Sequence, residues 1–150
     1  MRIRRPEPGL AARQAAWIVA MEPWCSLGYR ATPLGRYLRR MARDERALVV
    51  EDEGQILGIV VAQPDFLLGN FIALLAVRPD FGGKGVGRAL VARIEQDTFK
   101  TRRWLYVSSD STNQAAARFY KKLGFARVAR LPGLIRDDRT EILWRKRRAR

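Results

Sequence analysis

Apolar residues recur every three or four positions in several segments of this chain, and this spacing predicts helices. Four segments place apolar side chains on one face of a helix: Leu10, Trp17, Ile18 and Met21; Leu34, Tyr37, Leu38 and Met41; Val86, Ala89, Leu90 and Ile94; Ala116, Phe119, Tyr120 and Leu123. The last helix is the best delimited. Residues 110–113 offer N-cap side chains before it, and Gly124 follows it.

Runs rich in Val, Ile, Leu and aromatic residues predict strands. They cover residues 47–63, 71–77, 104–107, 125–131 and 140–144, and a short strand is also predicted at residues 2–5. We interpret residues 47–63 as two antiparallel strands, because the acidic and glycine residues at 51–55 suit a hairpin turn. Pro79 ends the run at residues 71–77, since it lacks an N–H group for the sheet.

The predicted order is strand, two helices, three strands, helix, strand, helix and two strands. This order predicts an α/β (α+β) fold in which about four helices flank a mixed, mostly antiparallel sheet. A length of 150 residues suits one compact domain, so we expect residues 1–150 to form a single domain.

Composition excludes several classes of protein. Apolar residues make up 47% of the chain, which is too many for a disordered polyelectrolyte. No apolar run is long enough to cross a bilayer and no signal peptide is evident, so we expect a cytoplasmic protein with no membrane partner. Cys25 is the only cysteine and histidine is absent, so we expect no disulfide, no cysteine or histidine metal site and no histidine triad.

The formal net charge of +14 indicates an anionic partner. For the densest basic run, residues 145–150, a solvated terminal segment is the default interpretation. Nucleic acid is therefore a partner that the sequence permits but does not favour.

Residues 75–90 place a glycine-rich loop between a strand and a helix. Glycines let an anion approach the backbone, where free N–H groups and the positive end of the helix dipole converge. A Walker loop is a poor match, because Gly83-Lys84 is followed by Gly85 rather than Ser or Thr. A dinucleotide fold would place this loop after the first strand. A phosphate site of another kind is the better hypothesis.

Two motifs carry a resemblance to a known family. The sequence Val77-x-Pro79-x-Phe81-x-Gly83-Lys84-Gly85-Val86-Gly87-x-x-Leu90 resembles motif A of the GNAT N-acetyltransferases. The sequence Asn113-x-x-Ala116-x-x-Phe119-Tyr120-x-x-x-Gly124-Phe125 resembles motif B of the same family, in the expected order. The resemblance covers most of the chain and is weak before about residue 47.

This resemblance implies acetyl-CoA as co-substrate and a role for each motif residue. The backbone of Leu75, Ala76 and Val77 would pair with the pantetheine arm. The pyrophosphate would lie on the loop formed by Gly82, Gly83, Lys84, Gly85, Val86, Gly87 and Arg88, and the cofactor site would also include Asn113 and Phe119. Tyr120 would be the catalytic acid that protonates the CoA thiolate, since a neutral phenol can give up its proton. Without the motif, Tyr120 and Phe119 would be interpreted as core aromatic residues.

The chain departs from the family pattern at two positions. Gly82 replaces the usual Gln or Arg, and Ala73 stands where many relatives carry a glutamate as general base. The base is therefore open, and the candidates are Glu22, Asp65, Asp110 and water relayed through Ser108 or Ser109. The loop residues Trp24, Leu27 and Tyr29 would line the acceptor site in this family, or serve as core or lid residues.

The leading hypothesis is an acyl-CoA-dependent N-acetyltransferase that acts on a primary amine, either a protein N-terminus or lysine or a small molecule. A second hypothesis is an inactive module of the same fold that binds nucleic acid or the ribosome through its basic surface. A donor longer than acetyl is a third. The sequence leaves the acceptor and a homodimer open.

Overall fold

The computed structural model of the protein describes residues 1–150 and contains a seven-stranded sheet. The strands are β1 (Arg2–Arg4), β2 (Ala47–Asp52), β3 (Gln55–Phe66), β4 (Gly69–Val77), β5 (Trp104–Asp110), β6 (Ala126–Pro132) and β7 (Thr140–Arg147). They lie in the order β1-β2-β3-β4-β5-β7-β6. The β4–β5 pair is parallel, whereas β1–β2, β2–β3, β5–β7 and β6–β7 are antiparallel. The predicted α/β fold with a mixed sheet is confirmed.

The helices are α1 (Pro8–Arg13), α2 (Ala15–Ile18), α3 (Ala31–Arg43), α4 (Val86–Thr98) and α5 (Gln114–Lys122), with a short 3-10 turn at Pro79–Phe81. None of them is long and apolar enough to span a membrane.

The first predicted helix is divided into α1 and α2 at Gln14. The Gln14 side chain is buried, where it donates to the Leu10 carbonyl at 2.9 Å and accepts from Trp17 Nε1 at 2.8 Å. These bonds hold the turn between the two short helices. Met21 was wrongly placed on this helix, because the helical backbone ends at Ile18.

The β2–β3 hairpin is tighter than the predicted turn at residues 51–55. Only Glu53 and Gly54 form it, with φ angles of 49° and 76°. Strand β3 then continues through Pro64 to Phe66, beyond the predicted end at residue 63. It turns into β4 through Leu67 and Leu68, a turn that the sequence did not predict.

Helix α4 packs closely on β3. A Cβ atom at Gly58 would lie 2.9 Å from Val86 Cγ1 and 3.1 Å from the Ala76 carbonyl oxygen, so any larger residue would force its neighbours to shift. The predicted face of α4 needs one correction, because Val91 is buried and Ala89 is half-buried. This packing fixes the start of α4 and the glycine-rich loop before it.

The chain divides into two compact units, and β3 and β4 contribute to both. The first unit comprises Met1–Ala62 with Leu74–Arg93, and the second comprises Gln63–Ala73 with Ile94–Arg150. The core of the first contains α1–α3, β2 and β3 side chains such as Ile18, Leu38 and Val49. In the second, Leu105, Val107, Tyr120, Phe125 and Trp144 are buried. The single domain over residues 1–150 stays a prediction.

Candidate active site

The loop before α4 has the backbone conformation of an anion site. Gly83 and Gly85 have φ angles of 74° and 82°, which side-chain-bearing residues adopt only at a cost. A Cβ atom at either position would meet nothing within 4 Å. Backbone conformation rather than crowding therefore requires glycine at these two positions.

The N–H groups from Gly83 to Arg88 form an unpaired run. None of them donates to an acceptor in the protein, whereas Ala89 N–H already bonds to the Gly85 carbonyl at 2.9 Å. The 13-residue helix α4 adds the positive end of its dipole at the same place. The exposed side chains of Lys84 and Arg88 add formal charge. This arrangement fits a phosphate or pyrophosphate group.

Gly82 differs from the other loop glycines. Its φ angle is −65°, and its N–H donates to the Pro79 carbonyl at 3.2 Å. Because this N–H is already paired, it is not available to an anion. The prediction that Gly82 contributes to a pyrophosphate site gains no support from this geometry, and Gln or Arg at this position would need no positive φ.

The end of β4 is held firmly in the first unit. Leu75 and Val77 are half-buried and Ala76 is buried between them. Directly after them, Arg78 donates from its N–H to Leu57 O at 2.9 Å and from Nε to Ile56 O at 2.8 Å. These bonds fix the backbone that the family resemblance assigns to the pantetheine arm.

Tyr120 lies on α5 in the second unit, among aromatic side chains. Its ring centroid is 5.2 Å from that of Phe119, 5.6 Å from Phe125 and 6.5 Å from Trp144. The residue is only 6% exposed, yet its hydroxyl has no hydrogen-bond partner in the protein. That hydroxyl also keeps some accessible surface, because Asn70 Oδ1 is the only fully enclosed side-chain polar atom without a partner. A buried ring with a free hydroxyl suits proton transfer.

Burial and then the charge of Glu141 raise the pKa of Tyr120 above its ordinary value. A phenol is neutral at physiological pH even at its ordinary pKa, so the shift makes Tyr120 a weaker acid than a solvated phenol.

Asn113 caps α5, as predicted. Its Oδ1 accepts the Ala116 N–H at 3.0 Å. The predicted contact of Asn113 and Phe119 with the cofactor stays a prediction.

A polar cluster lies at the ends of β5 and β7, where Asp110 is paired in register with Glu141. Ser108 Oγ donates to Glu141 Oε1 at 3.1 Å. Asp110 accepts from the Thr112 N–H at 2.8 Å, the Thr112 hydroxyl at 2.6 Å and Arg139 Nε at 2.8 Å. The cluster therefore contains two buried carboxyl groups with different environments.

The pKa shifts of these two carboxyl groups are opposite. Burial disfavours the charge of Asp110, but the hydrogen bonds from Thr112 and Arg139 outweigh it and hold the pKa of Asp110 below its ordinary value. For Glu141, burial dominates and the Asp110 charge adds to it, so the pKa of Glu141 is raised despite the Ser108 hydrogen bond and the Arg139 charge.

The predicted base candidates are engaged elsewhere. Glu22 is exposed and accepts the Ser26 N–H at 2.9 Å. Asp65 is exposed and paired with Arg102. Asp110 is saturated by its donors, and Ser109 Oγ accepts from Trp144 Nε1 at 2.9 Å.

Among the predicted groups, only Ser108 is hydrogen-bonded to a carboxylate that has an unpaired oxygen, and that carboxylate is Glu141. Sequence reasoning missed Glu141. The available signal was an acidic residue at the start of an otherwise apolar strand.

The predicted acceptor loop lies in the first unit. Trp24 and Leu27 are half-buried and Tyr29 is exposed, and the Tyr29 N–H donates to Trp24 O at 3.0 Å. Trp24 packs against the core of that unit. Its role toward an acceptor stays a prediction.

Comparison with known proteins identifies the family of this chain. A family model described as an acetyltransferase (GNAT) domain matches residues 43–127. The chain is 30% identical to N-alpha-acetyltransferase 30 of Schizosaccharomyces pombe over 93 residues. This aligned stretch covers 58% of this chain and 61% of that protein. The chain thus spans less than two thirds of the length of this curated relative.

Solved structures show the same fold. An aminoglycoside 6'-N-acetyltransferase complexed with coenzyme A superposes with a TM-score of 0.81 at 18% identity, covering 100% of this chain and 98% of that one. Ard1 from Thermoplasma volcanium superposes with a TM-score of 0.80 at 23% identity, covering 99% and 98%. The family model covers more than half of the chain, so this protein belongs to the GNAT acetyltransferase family.

Proposed function

We propose that this protein transfers the acetyl group of acetyl-CoA to a primary amine. Three findings support the proposal. The chain belongs to the GNAT family, one of its structural neighbours is complexed with coenzyme A, and its similar proteins are named for transfer to nitrogen. The single observation that carries it is the unpaired run of N–H groups from Gly83 to Arg88.

In this proposal the glycine loop binds the pyrophosphate of acetyl-CoA, with Lys84 and Arg88 adding charge. The backbone of residues 75–77 orients the pantetheine arm. An N–H group of β4 donates to the thioester oxygen as negative charge develops there.

The chemistry is direct attack by the neutral amine. A C–N bond forms, the C–S bond breaks, and the CoA thiolate takes the proton of the Tyr120 hydroxyl. The nitrogen loses its extra proton, which returns to Tyr120 through water. Two features of Tyr120 fit this role: a phenol is protonated at neutral pH, and this hydroxyl is free of internal partners.

The acceptor is proposed only as a class, a primary amine on a peptide or a small molecule. The net charge of +14 favours the polyanionic CoA. A cationic acceptor requires a local acidic group to offset that charge.

The test is release of free thiol from acetyl-CoA by the purified protein. The probes are peptides with free N-terminal Ala, Ser or Met, a peptide whose only amine is a lysine, and an aminoglycoside. We expect amine-dependent thiol release and acetylated product of the added mass. Nucleic-acid binding without thiol release from any probe would refute the proposal and favour a binding module.

A further inference from the structure

The acceptor amine of the proposed reaction must lose a proton before it attacks, because an ammonium has no free electron pair. Ala73 cannot take that proton, and the predicted candidates are engaged elsewhere. Glu141 is the remaining buried carboxyl group near Tyr120.

The sheet register places Ala73 and Glu141 on the same face. Phe71 is paired with Tyr106, and both rings lie about 5 Å from the Phe66 ring, with centroid distances of 4.9 and 5.0 Å. Side chains two residues apart on a strand share a face, so Ala73 lies on the same face as Phe71, and Ser108 lies on the same face as Tyr106. Ser108 in turn donates to Glu141.

Tyr120 lies on the other face of β5 and β7. Its ring is next to Trp144, which donates a hydrogen bond to Ser109. Ser109 is one residue from Ser108 on β5, and Trp144 is three residues from Glu141 on β7, so Ser109 and Trp144 point to the opposite face from Ser108 and Glu141. The proposed acid and the base candidate therefore lie on opposite faces of these two strands.

The sheet face that carries Glu141 has open surface at Ala73. The β4–β5 ladder ends at the pair Ile72–Val107, and the next residue of β4, Ala73, is exposed although β4 is a central strand. The small side chain therefore leaves open surface on the face that carries Glu141.

Glu141 has an unused acceptor atom. Its side chain accepts one hydrogen bond, at Oε1 from Ser108, and its second oxygen has no partner in the protein. The residue is only 7% exposed, yet this oxygen is not fully enclosed, since Asn70 Oδ1 is the only enclosed side-chain atom without a partner. A buried carboxylate with one accessible, unpaired oxygen is a ready acceptor for an ammonium group.

We propose that Glu141 binds the ammonium group of the acceptor through this free oxygen and takes its proton, with Ser108 holding the carboxylate in position. The proposal rests on the proposed acetyl transfer. It assigns the acceptor class as an amine that is cationic in solution, recognised by a local acidic group in an otherwise basic protein.

The proton that the ammonium loses passes through Glu141 to solvent. The ammonium gives one proton to the Glu141 carboxylate, which later releases it to solvent, and the neutral amine then attacks the thioester. The charged groups facing Glu141 are Asp110 on β5 and Arg139 before β7, and Tyr120 on the opposite face of these strands still feels the Glu141 charge. Arg139 is paired with Asp110 at 2.7 Å, so it neutralises that neighbour while Glu141 keeps its free oxygen.

The test compares Glu141→Gln with Glu95→Gln in the thiol-release assay across pH. Gln keeps the size of the side chain and can accept from Ser108, but it cannot take a proton. Glu95 is a matched control, because it is a partly buried carboxylate of the same unit that pairs with Lys146 at 3.0 Å. We expect kcat of Glu141→Gln to fall by about 100-fold, with its acid limb lost, while KM changes less. Glu95→Gln should behave like the wild type.

Two further measurements separate the outcomes. Glu141→Asp should regain part of the rate and the acid limb, and calorimetry should show acetyl-CoA affinity unchanged in all folded variants. Equal kcat and pH profiles in wild type and Glu141→Gln would overturn the role of Glu141 and leave acetyl transfer intact. A wild type that binds acetyl-CoA but acetylates no probe would overturn the proposed function, and the role of Glu141 with it.

Discussion

The glycine loop allows the charge of the bound group to be tested by one pair of substitutions, Gly85→Gln and Gly85→Glu. A Cβ atom at this position would meet nothing within 4 Å, so neither variant is excluded by crowding at its first side-chain atom. Both place a side chain at a φ of 82°, which costs about 1–2 kcal/mol and is the same for each. For a protein of this size each variant should melt about 2–8 °C below the wild type.

The two variants differ only in charge, next to N–H groups that we assign to the pyrophosphate. One pair of like charges about 5 Å apart, at an effective dielectric constant of about 20, repels by about 3 kcal/mol. This energy corresponds to about a hundredfold in Kd. Gly85→Glu should therefore bind acetyl-CoA about a hundredfold more weakly than Gly85→Gln, and the ratio should shrink as salt is added.

The assay is calorimetric titration of each variant with acetyl-CoA at low and high ionic strength. Melting curves serve as the control that the two variants are equally folded. Equal affinities for acetyl-CoA at low salt would refute the assignment of the pyrophosphate to this loop.

Three other changes have definite expected results. Tyr120→Phe should lower kcat by about 100-fold and leave the melting temperature and acetyl-CoA affinity nearly unchanged, because its hydroxyl makes no internal hydrogen bond; an unaffected rate would remove it from the mechanism. Gly58→Ala should destabilise the protein by about 1–3 kcal/mol in denaturant titration, because the added Cβ would lie 2.9 Å from Val86; no change would contradict this packing. Asp110→Asn should make the melting temperature fall less between pH 7 and pH 3 than it does in the wild type. Folding lowers the pKa of Asp110, so the ionised carboxylate stabilises the wild type above the unfolded pKa, and this stabilisation is lost as the pH falls through the folded pKa. An equal fall in both proteins would contradict the shift.

Local signals predicted the parts of the site that depend on neighbouring residues. The glycine-rich loop was predicted between a strand and a helix, and it lies there, with positive φ at Gly83 and Gly85. Asn113 and Gly124 marked the ends of α5, because capping is decided within one turn of the helix.

The remaining features depend on contacts between distant residues, which one sequence does not reveal. Leucine is not a turn-forming residue, so the turn at Leu67 and Leu68, with φ angles of 45° and 63°, had no signal. Glu141 is buried because β7 pairs with β5 in one particular register. Gly58 is required only because α4 packs over it.

The proposal that the loop of residues 83–88 binds acetyl-CoA can be tested by calorimetric titration of the wild type with acetyl-CoA, CoA and ATP. We expect tight binding of acetyl-CoA and CoA and much weaker binding of ATP. No binding of acetyl-CoA, or binding no tighter than that of ATP, would contradict it.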